Sequence, residues 1–326
     1  MKHVIHIFGA SGSGTSTLGA ALARDMGLVH MDTDDYYWLP TNPKFTAKRP
    51  IEERLTLMNA DIDAAERGVV ISGSLTGWGD ELIPRFTHVV RLDTPTPVRI
   101  ERLKAREYAR FGDRIREGGD MHQAHLAFLD WAARYDTGDV TMRSKACHDA
   151  WMQLLSCPQI IAPGDMPVDK LVRSVKQSIF GIRPMGIADY DQLYALWLSI
   201  PGMGLNNLDD SREGIARFIA RNPRTSFVAT ENGFDVIGAI MCGHDGRRGY
   251  IYHTCVRTDR QGEGIGRALV EAAQDALKAE GIHKVALVVF GRNEKGNAFW
   301  EKLGFTNRED LVYRNRTLTE MERLET

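Results

Sequence analysis

A chain of 326 residues, 43% of them hydrophobic, is long enough to bury two cores, and its net charge of −2 argues against general attraction to nucleic acid or an anionic membrane. Four cysteines, Cys147, Cys157, Cys242 and Cys255, show no C-x-x-C spacing, which disfavours a zinc site or disulfide framework and suits reduced thiols. No apolar run reaches transmembrane length and the opening MKHVIHIFGAS is too short for a signal peptide, so the expected protein is a cytoplasmic enzyme with small-molecule partners.

His3 to Phe8 turns apolar and stops at Gly9-Ala10-Ser11-Gly12-Ser13-Gly14-Thr15-Ser16-Thr17, after which LGAALARDMG has the pattern of a helix. Strand, glycine loop and helix in that order are the setting of a P-loop. In such a loop backbone N–H groups cradle phosphates, a lysine reaches the β and γ positions, and a Ser or Thr hydroxyl helps to hold magnesium. Gly9-x-x-x-x-Gly14 and Ser16 fit; the lysine position holds Thr15. The expected nucleotide contacts are Gly9, Ser11, Gly12, Ser13, Gly14, Thr15, Ser16 and Thr17, with Ser16 at the metal.

Further strands are expected at Leu28 to Met31, Val69 to Ser74, Val89 to Asp93 and Gln159 to Ala162. After the first of these comes Asp32-Thr33-Asp34-Asp35, where Asp34 and Asp35 could hold a substrate hydroxyl or a magnesium-bound water, or form a solvated turn. On the helix begun by Pro95 and Pro97, Arg99, Arg102, Arg106 and Arg110 recur at spacings of three and four. They form either a stripe that closes over phosphates or a solvent face shared with Glu101 and Glu107. His122, His125 and His148 lack metal-ligand spacing and read as surface or core histidines. Loop and layout together, over residues 1 to about 175, resemble the adenylate-kinase-like P-loop kinases. The resemblance implies a three-layer α/β domain with a mainly parallel sheet that binds ATP or GTP with Mg2+. Lys44, Lys48, Arg49, Arg102 and Arg106 are the cations available to replace the missing lysine. A small-metabolite kinase and a non-catalytic nucleotide sensor are the alternatives for this half.

Pro158 to Pro167 is rich in turn formers, a helix is expected from Asp169 to Phe180, and Gly181-Ile182-Arg183-Pro184-Met185 opens a new strand, so the expected domains are 1–180 and 181–326. Helices at Ala188 to Ser199 and Ser211 to Asn222 flank the loop PGMGLNNLDD. Strands at Phe227 to Thr230 and Val236 to Cys242 are joined by the hairpin dipeptide Asn232-Gly233. The β-rich run Arg248 to Val256 then enters VRTDRQGEGIGRAL, Val256 to Leu269. Its three glycines permit positive φ and close backbone approach, and the helix that follows leaves its first N–H groups aimed at an anion, most naturally a diphosphate. A helix to about Glu280, an apolar strand from Val285 to Phe290, Asn293 and AFWEKLGF complete the order.

Gln261-x-x-Gly264-x-Gly266, Asn293 and the helix ending in Glu301-Lys302-Leu303-Gly304-Phe305 closely resemble the GNAT family of acetyl-CoA-dependent N-acetyltransferases over residues 181–326. The resemblance implies a mixed, mainly antiparallel sheet and an acceptor loop at PGMGLNNLDD. It implies acetyl-CoA contacts from Cys255, Val256, Gln261, Gly262, Glu263, Gly264, Ile265, Gly266, Arg267 and Asn293, and a small-molecule or peptide amine as acceptor. Where some relatives carry a glutamate base this chain has Val288, and where many carry a thiolate-protonating tyrosine it has Trp300. By proton chemistry His253 is then the best base, with Tyr252 and Tyr313 as donors.

Overall fold

The computed structural model describes residues 2–41 and 46–324, which gather into two units, residues 1–175 and 176–326, each organised around a five-stranded sheet. In the first, β1 (His3–Gly9) is buried at every position, as a central strand covered on both faces must be. After it come α1 (Thr15–Met26), β2 (Val29–Asp32), α2 (Thr33–Tyr37), α3 (Ile51–Ala64), β3 (Gly68–Ser72), β4 (His88–Asp93), α4 (Thr96–Phe111), α5 (His122–Ala133), α6 (Lys145–Met152), β5 (Gln159–Pro163) and α7 (Val168–Ile179). Every pairing is parallel, in the order β2-β3-β1-β4-β5. β1 therefore lies between β3 and β4, strands reached by crossovers in opposite directions, and its C-terminal end faces the crevice such a sheet opens to ligands. Phe8, Met58, Ile62, Val69, Ile71 and Trp151 form the main core.

Two expectations for this unit change. The acidic run after β2 is neither strand end nor open turn but the short helix α2, capped by Asp32, whose carboxylate accepts from the Asp34 N–H at 3.1 Å. The arginine stripe on α4 is not uniform. Arg99 is fully buried and donates to the carbonyls of Thr94 and Ala132, both at 3.0 Å, to the Thr96 hydroxyl at 2.5 Å and to Asp136 at 3.1 Å. Committed to four protein oxygens, it cannot close over a phosphate.

The second unit runs β6 (Arg183–Pro184), α8 (Tyr190–Ser199), α9 (Arg212–Arg221), β7 (Phe227–Glu231), β8 (Asp235–His244), β9 (Gly249–Val256), α10 (Ile265–Ala279), β10 (Val285–Leu287) and α11 (Glu294–Lys302). Its sheet, in the order β10-β9-β8-β7-β6, is mixed and mostly antiparallel; the β9–β10 pair is parallel. Asn232 and Gly233 turn β7 into β8 with φ of 52° and 79°, the two positive angles a tight hairpin requires. Leu193, Trp197, Ile215, Val228, Ala239 and Cys255 belong to the core that α8 and α9 build on the sheet.

The expected strand Val285 to Phe290 is cut short at Leu287. Its pairing with β9 covers Gly249, Tyr250 and Ile251, and beyond that the two strands part, leaving Val288 and Phe290 exposed. The edge of β9 from Tyr252 to Val256 therefore faces no strand on that side among the described residues, while its other edge pairs with β8 as far as Val256. No helix among the described residues is long and apolar enough to cross a membrane.

Candidate functional site

Two glycine turns, one in each unit, set up the chemistry. In the first unit Gly14 caps α1 in the left-handed region, φ 100°, and Gly12 stands at φ 80°. A Cβ on Gly12 would come within 2.7 Å of the Arg99 carbonyl, so glycine is what lets the loop lie against α4. The N–H groups of Thr15, Ser16 and Thr17 open α1 and have no carbonyl of their own helix to bond, and no acidic side chain occupies that first turn. The Ser13 hydroxyl is buried with no partner among the described residues. An anion cradle of this kind fits a nucleotide's phosphates, with the Ser16 hydroxyl beside it for a cation. Among the described residues no cluster of three or more His, Cys, Asp or Glu could hold a metal by itself.

Of the cations expected to stand in for a lysine, Arg102 lies nearest the loop. Its Nη1 donates to the carbonyls of Ser13 at 3.2 Å and Gly164 at 2.9 Å. Arg49 is tied to the carbonyls of Tyr36 and Trp38, Lys48 lies 5.7 Å above the Tyr37 ring, and Lys44 falls outside the described residues. Arg106 and Arg110 gather with Arg143, which the sequence did not single out, around Asp34. Burial and then the neighbouring Asp32 push the Asp34 carboxyl above its ordinary range, against the pull of those three guanidinium groups.

In the second unit the chain leaves β9 through a single turn of tighter helix, Thr258 to Arg260, braced from within. Arg260 is buried and holds both Glu263 oxygens at 2.9 Å and Glu231 at 2.5 Å, while the Gln261 amide donates back to the Val256 carbonyl at 3.1 Å. The Glu263 and Gln261 side chains thus shape the turn and leave its backbone to the ligand. Gly264 caps α10 at φ 95°, ψ −1°, with nothing closer to a Cβ there than Phe180 at 4.0 Å, so backbone conformation and not crowding demands glycine. Gly266 differs: a Cβ would meet the Phe299 ring at 3.3 Å, which brings α10 and α11 together. The first turn of α10 holds no acidic residue, and Arg267 beside it has no ion-pair partner among the described residues. That is an anion site of helix N-terminus plus one available cation.

Beside this turn lies the unpaired edge of β9, and there the candidate proton carriers sit. His253 Nε2 is 2.6 Å from Asp210 Oδ1, and its ring tilts against Trp197 at 5.1 Å between centroids. Asp210, at the end of the PGMGLNNLDD loop, is a residue the sequence offered no way to pick out, since the pair is separated by 43 positions. Tyr252 stands half in water between the rings of Tyr250 and Phe218; burial, and then Tyr313, raise its hydroxyl above the ordinary phenol range. Tyr313 itself is exposed. Cys255 is buried and its thiol is pushed up to about 12 by that burial, so it is no nucleophile. Asn293 caps α11, its side-chain oxygen accepting from Gly296 N–H at 2.9 Å, and Trp300 is buried against the edges of Phe299 and Phe305.

Two family profiles match the chain, "AAA domain" over residues 5–123 and "Acetyltransferase (GNAT) family" over residues 190–305. The uncharacterized protein YqaC of Bacillus subtilis (strain 168) is 45% identical over 175 residues, 54% of this chain and 96% of the relative. Acetyltransferase SG1711 of Sodalis glossinidius (strain morsitans) is 31% identical over 132 residues, 40% of this chain and 91% of the relative. The solved structure of PaiA N-acetyltransferase from Thermoplasma acidophilum in complex with coenzyme A aligns with 39% of this chain and 90% of its own at 19% identity, with a TM-score of 0.34.

Proposed function

The chain belongs through its second half to the GNAT acetyltransferase family and carries an AAA-type P-loop domain in its first, and from that premise we propose that it transfers the acetyl group of acetyl-CoA to a small-molecule or peptide amine. The observation that carries this reading is the parting of β9 from β10 directly beside the glycine turn. The turn's N–H groups and Arg267 suit the diphosphate, and the unpaired backbone of Tyr252 to Val256 suits the amide-rich pantetheine arm, which would lie along it as an added strand does. Cys255 and Val256 would contribute backbone, not side chain. With Cys255 held as a thiol, transfer is direct: the amine nitrogen bonds to the thioester carbon, the carbon–sulfur bond breaks, and the amine's proton leaves. His253 would take that proton, and Tyr252, kept protonated by its surroundings, would return one to the departing thiolate.

For the first half, residues 1–180 would bind ATP or GTP with Mg2+ through Gly9 to Thr17, with Ser16 at the metal and Asp34 and Asp35 near a second ligand. When bound, the nucleotide would supply a phosphoryl group. Thr15 favours the second reading, a nucleotide sensor that binds without turnover, because no lysine stands at the β and γ positions.

The test of the acetyltransferase reading is thiol release from acetyl-CoA by the intact chain, in the presence of an amino acid, a polyamine, an aminoglycoside or a short peptide. Amine-dependent release with a matching acetylated product is expected. Absence of acetyl-CoA binding would overturn it.

A further inference from the structure

We propose that Asp210 is a positioning residue for acetyl transfer, fixing His253 in the tautomer whose Nδ1 lone pair takes the amine's proton. The proposal deepens the acetyltransferase reading and rests on His253 being its base. A carboxylate has only lone pairs to offer, so a neutral imidazole 2.6 Å away at Nε2 must carry its hydrogen on that nitrogen and its lone pair on Nδ1. Nδ1 has no hydrogen-bond partner among the described residues.

The carboxylate has little freedom to turn. Asp210 is 3% exposed; its second oxygen accepts from the Asn206 N–H at 2.7 Å and its carbonyl accepts from the Tyr190 hydroxyl at 2.9 Å. The imidazole is pressed against Trp197, so a ring flip would lose the carboxylate and the aromatic contact together. His253 stands two residues beyond Ile251, the last β9 residue paired with β10, which puts it on the stretch where the strand edge opens. Asp210 is delivered by the loop that follows α8, and that loop is itself tied to the C-terminal segment. Asn207 N–H donates to the Glu322 carbonyl at 3.1 Å, and Leu324 N–H donates to the Leu205 carbonyl at 3.0 Å. The pair is therefore assembled only when the acceptor loop is seated.

The experiment is ring-nitrogen NMR of the intact chain labelled with 15N-histidine, His253→Gln supplying the assignment, together with acetyl-CoA kinetics on spermidine, a dipeptide and kanamycin as amine probes. Wild type should show Nε2 protonated and Nδ1 bare. In Asp210→Asn the side-chain amide can donate, the tautomer should move toward Nδ1–H, and kcat should fall by about 100-fold or more while KM for acetyl-CoA stays within about twofold. Asp210→Glu should recover part of the loss. A wild-type Nδ1–H tautomer overturns the proposal even where Asp210→Asn fails to fold, and so does an Asp210→Asn enzyme with wild-type kcat. Unchanged kcat in His253→Gln removes the base itself, and failure of wild type to bind acetyl-CoA removes the acetyltransferase reading, so the three failures are distinct.

Discussion

Replacing Gly264 by valine tests the cofactor turn, because the structure separates its two consequences. At φ 95° a branched side chain is strained, at a cost of about 1–3 kcal/mol. Set against the roughly 5–15 kcal/mol that holds a domain folded, this leaves nearly all molecules native, although the melting temperature of the second unit should drop by about 2–10 °C. Inside the protein the new side chain meets little, the nearest atom to its Cβ being 4.0 Å away, so what it obstructs is the ligand's approach. Losing one or two charge-assisted N–H bonds to a diphosphate, at about 1.5–3 kcal/mol each, weakens acetyl-CoA by about 10- to 1,000-fold or more. Calorimetry on the folded variant reads this directly. A Gly264→Val protein that melts earlier yet binds acetyl-CoA as tightly as wild type would refute the assignment of the diphosphate to this turn.

Other expectations follow from the same geometry. Arg99→Met removes a buried guanidinium from four protein oxygens and should destabilise the first unit by about 3–5 kcal/mol, read as a fall in its urea midpoint. His6 and His148 are buried, and burial depresses each to about 3 from 6.5, so the unfolded chain binds their protons first as pH falls. The stability they allow is complete above 6.5 and is lost from there down toward 3, about 2 kcal/mol for each histidine by pH 5; His6→Phe should flatten that decline in a pH series of denaturation curves. Thr15→Lys should raise any ATP or GTP hydrolysis by the first domain, since the added charge acts where it accumulates in phosphoryl transfer; wild-type turnover already at about 1–100 per second would contradict this.

What the sequence made legible was whatever is written locally. The two glycine turns, the Asn232-Gly233 hairpin and the strand order of each half are short-range patterns of residue type, and the structure places them as expected. Two features escaped for physical reasons. The apolar run Val285 to Phe290 reads as one strand, but a strand needs a partner, and β9 withdraws after Ile251, so the last residues of the run are left exposed. The α4 arginines share a spacing, yet spacing does not say what faces them: Arg99 meets Thr94, Ala132 and Asp136 inside the protein, whereas Arg102 is exposed and reaches the P-loop carbonyl. Asp210 is the extreme case, brought to His253 by the packing of an acceptor loop with no signature of its own.

The measurement that bears most directly on the central claim is a crystal structure of the intact chain with acetyl-CoA. The account predicts the diphosphate on the N–H groups of the Gln261 to Arg267 turn, the pantetheine along Tyr252 to Val256, and the thioester carbonyl within reach of His253. Acetyl-CoA seated away from the gap between β9 and β10, or no binding at saturating ligand, would contradict it.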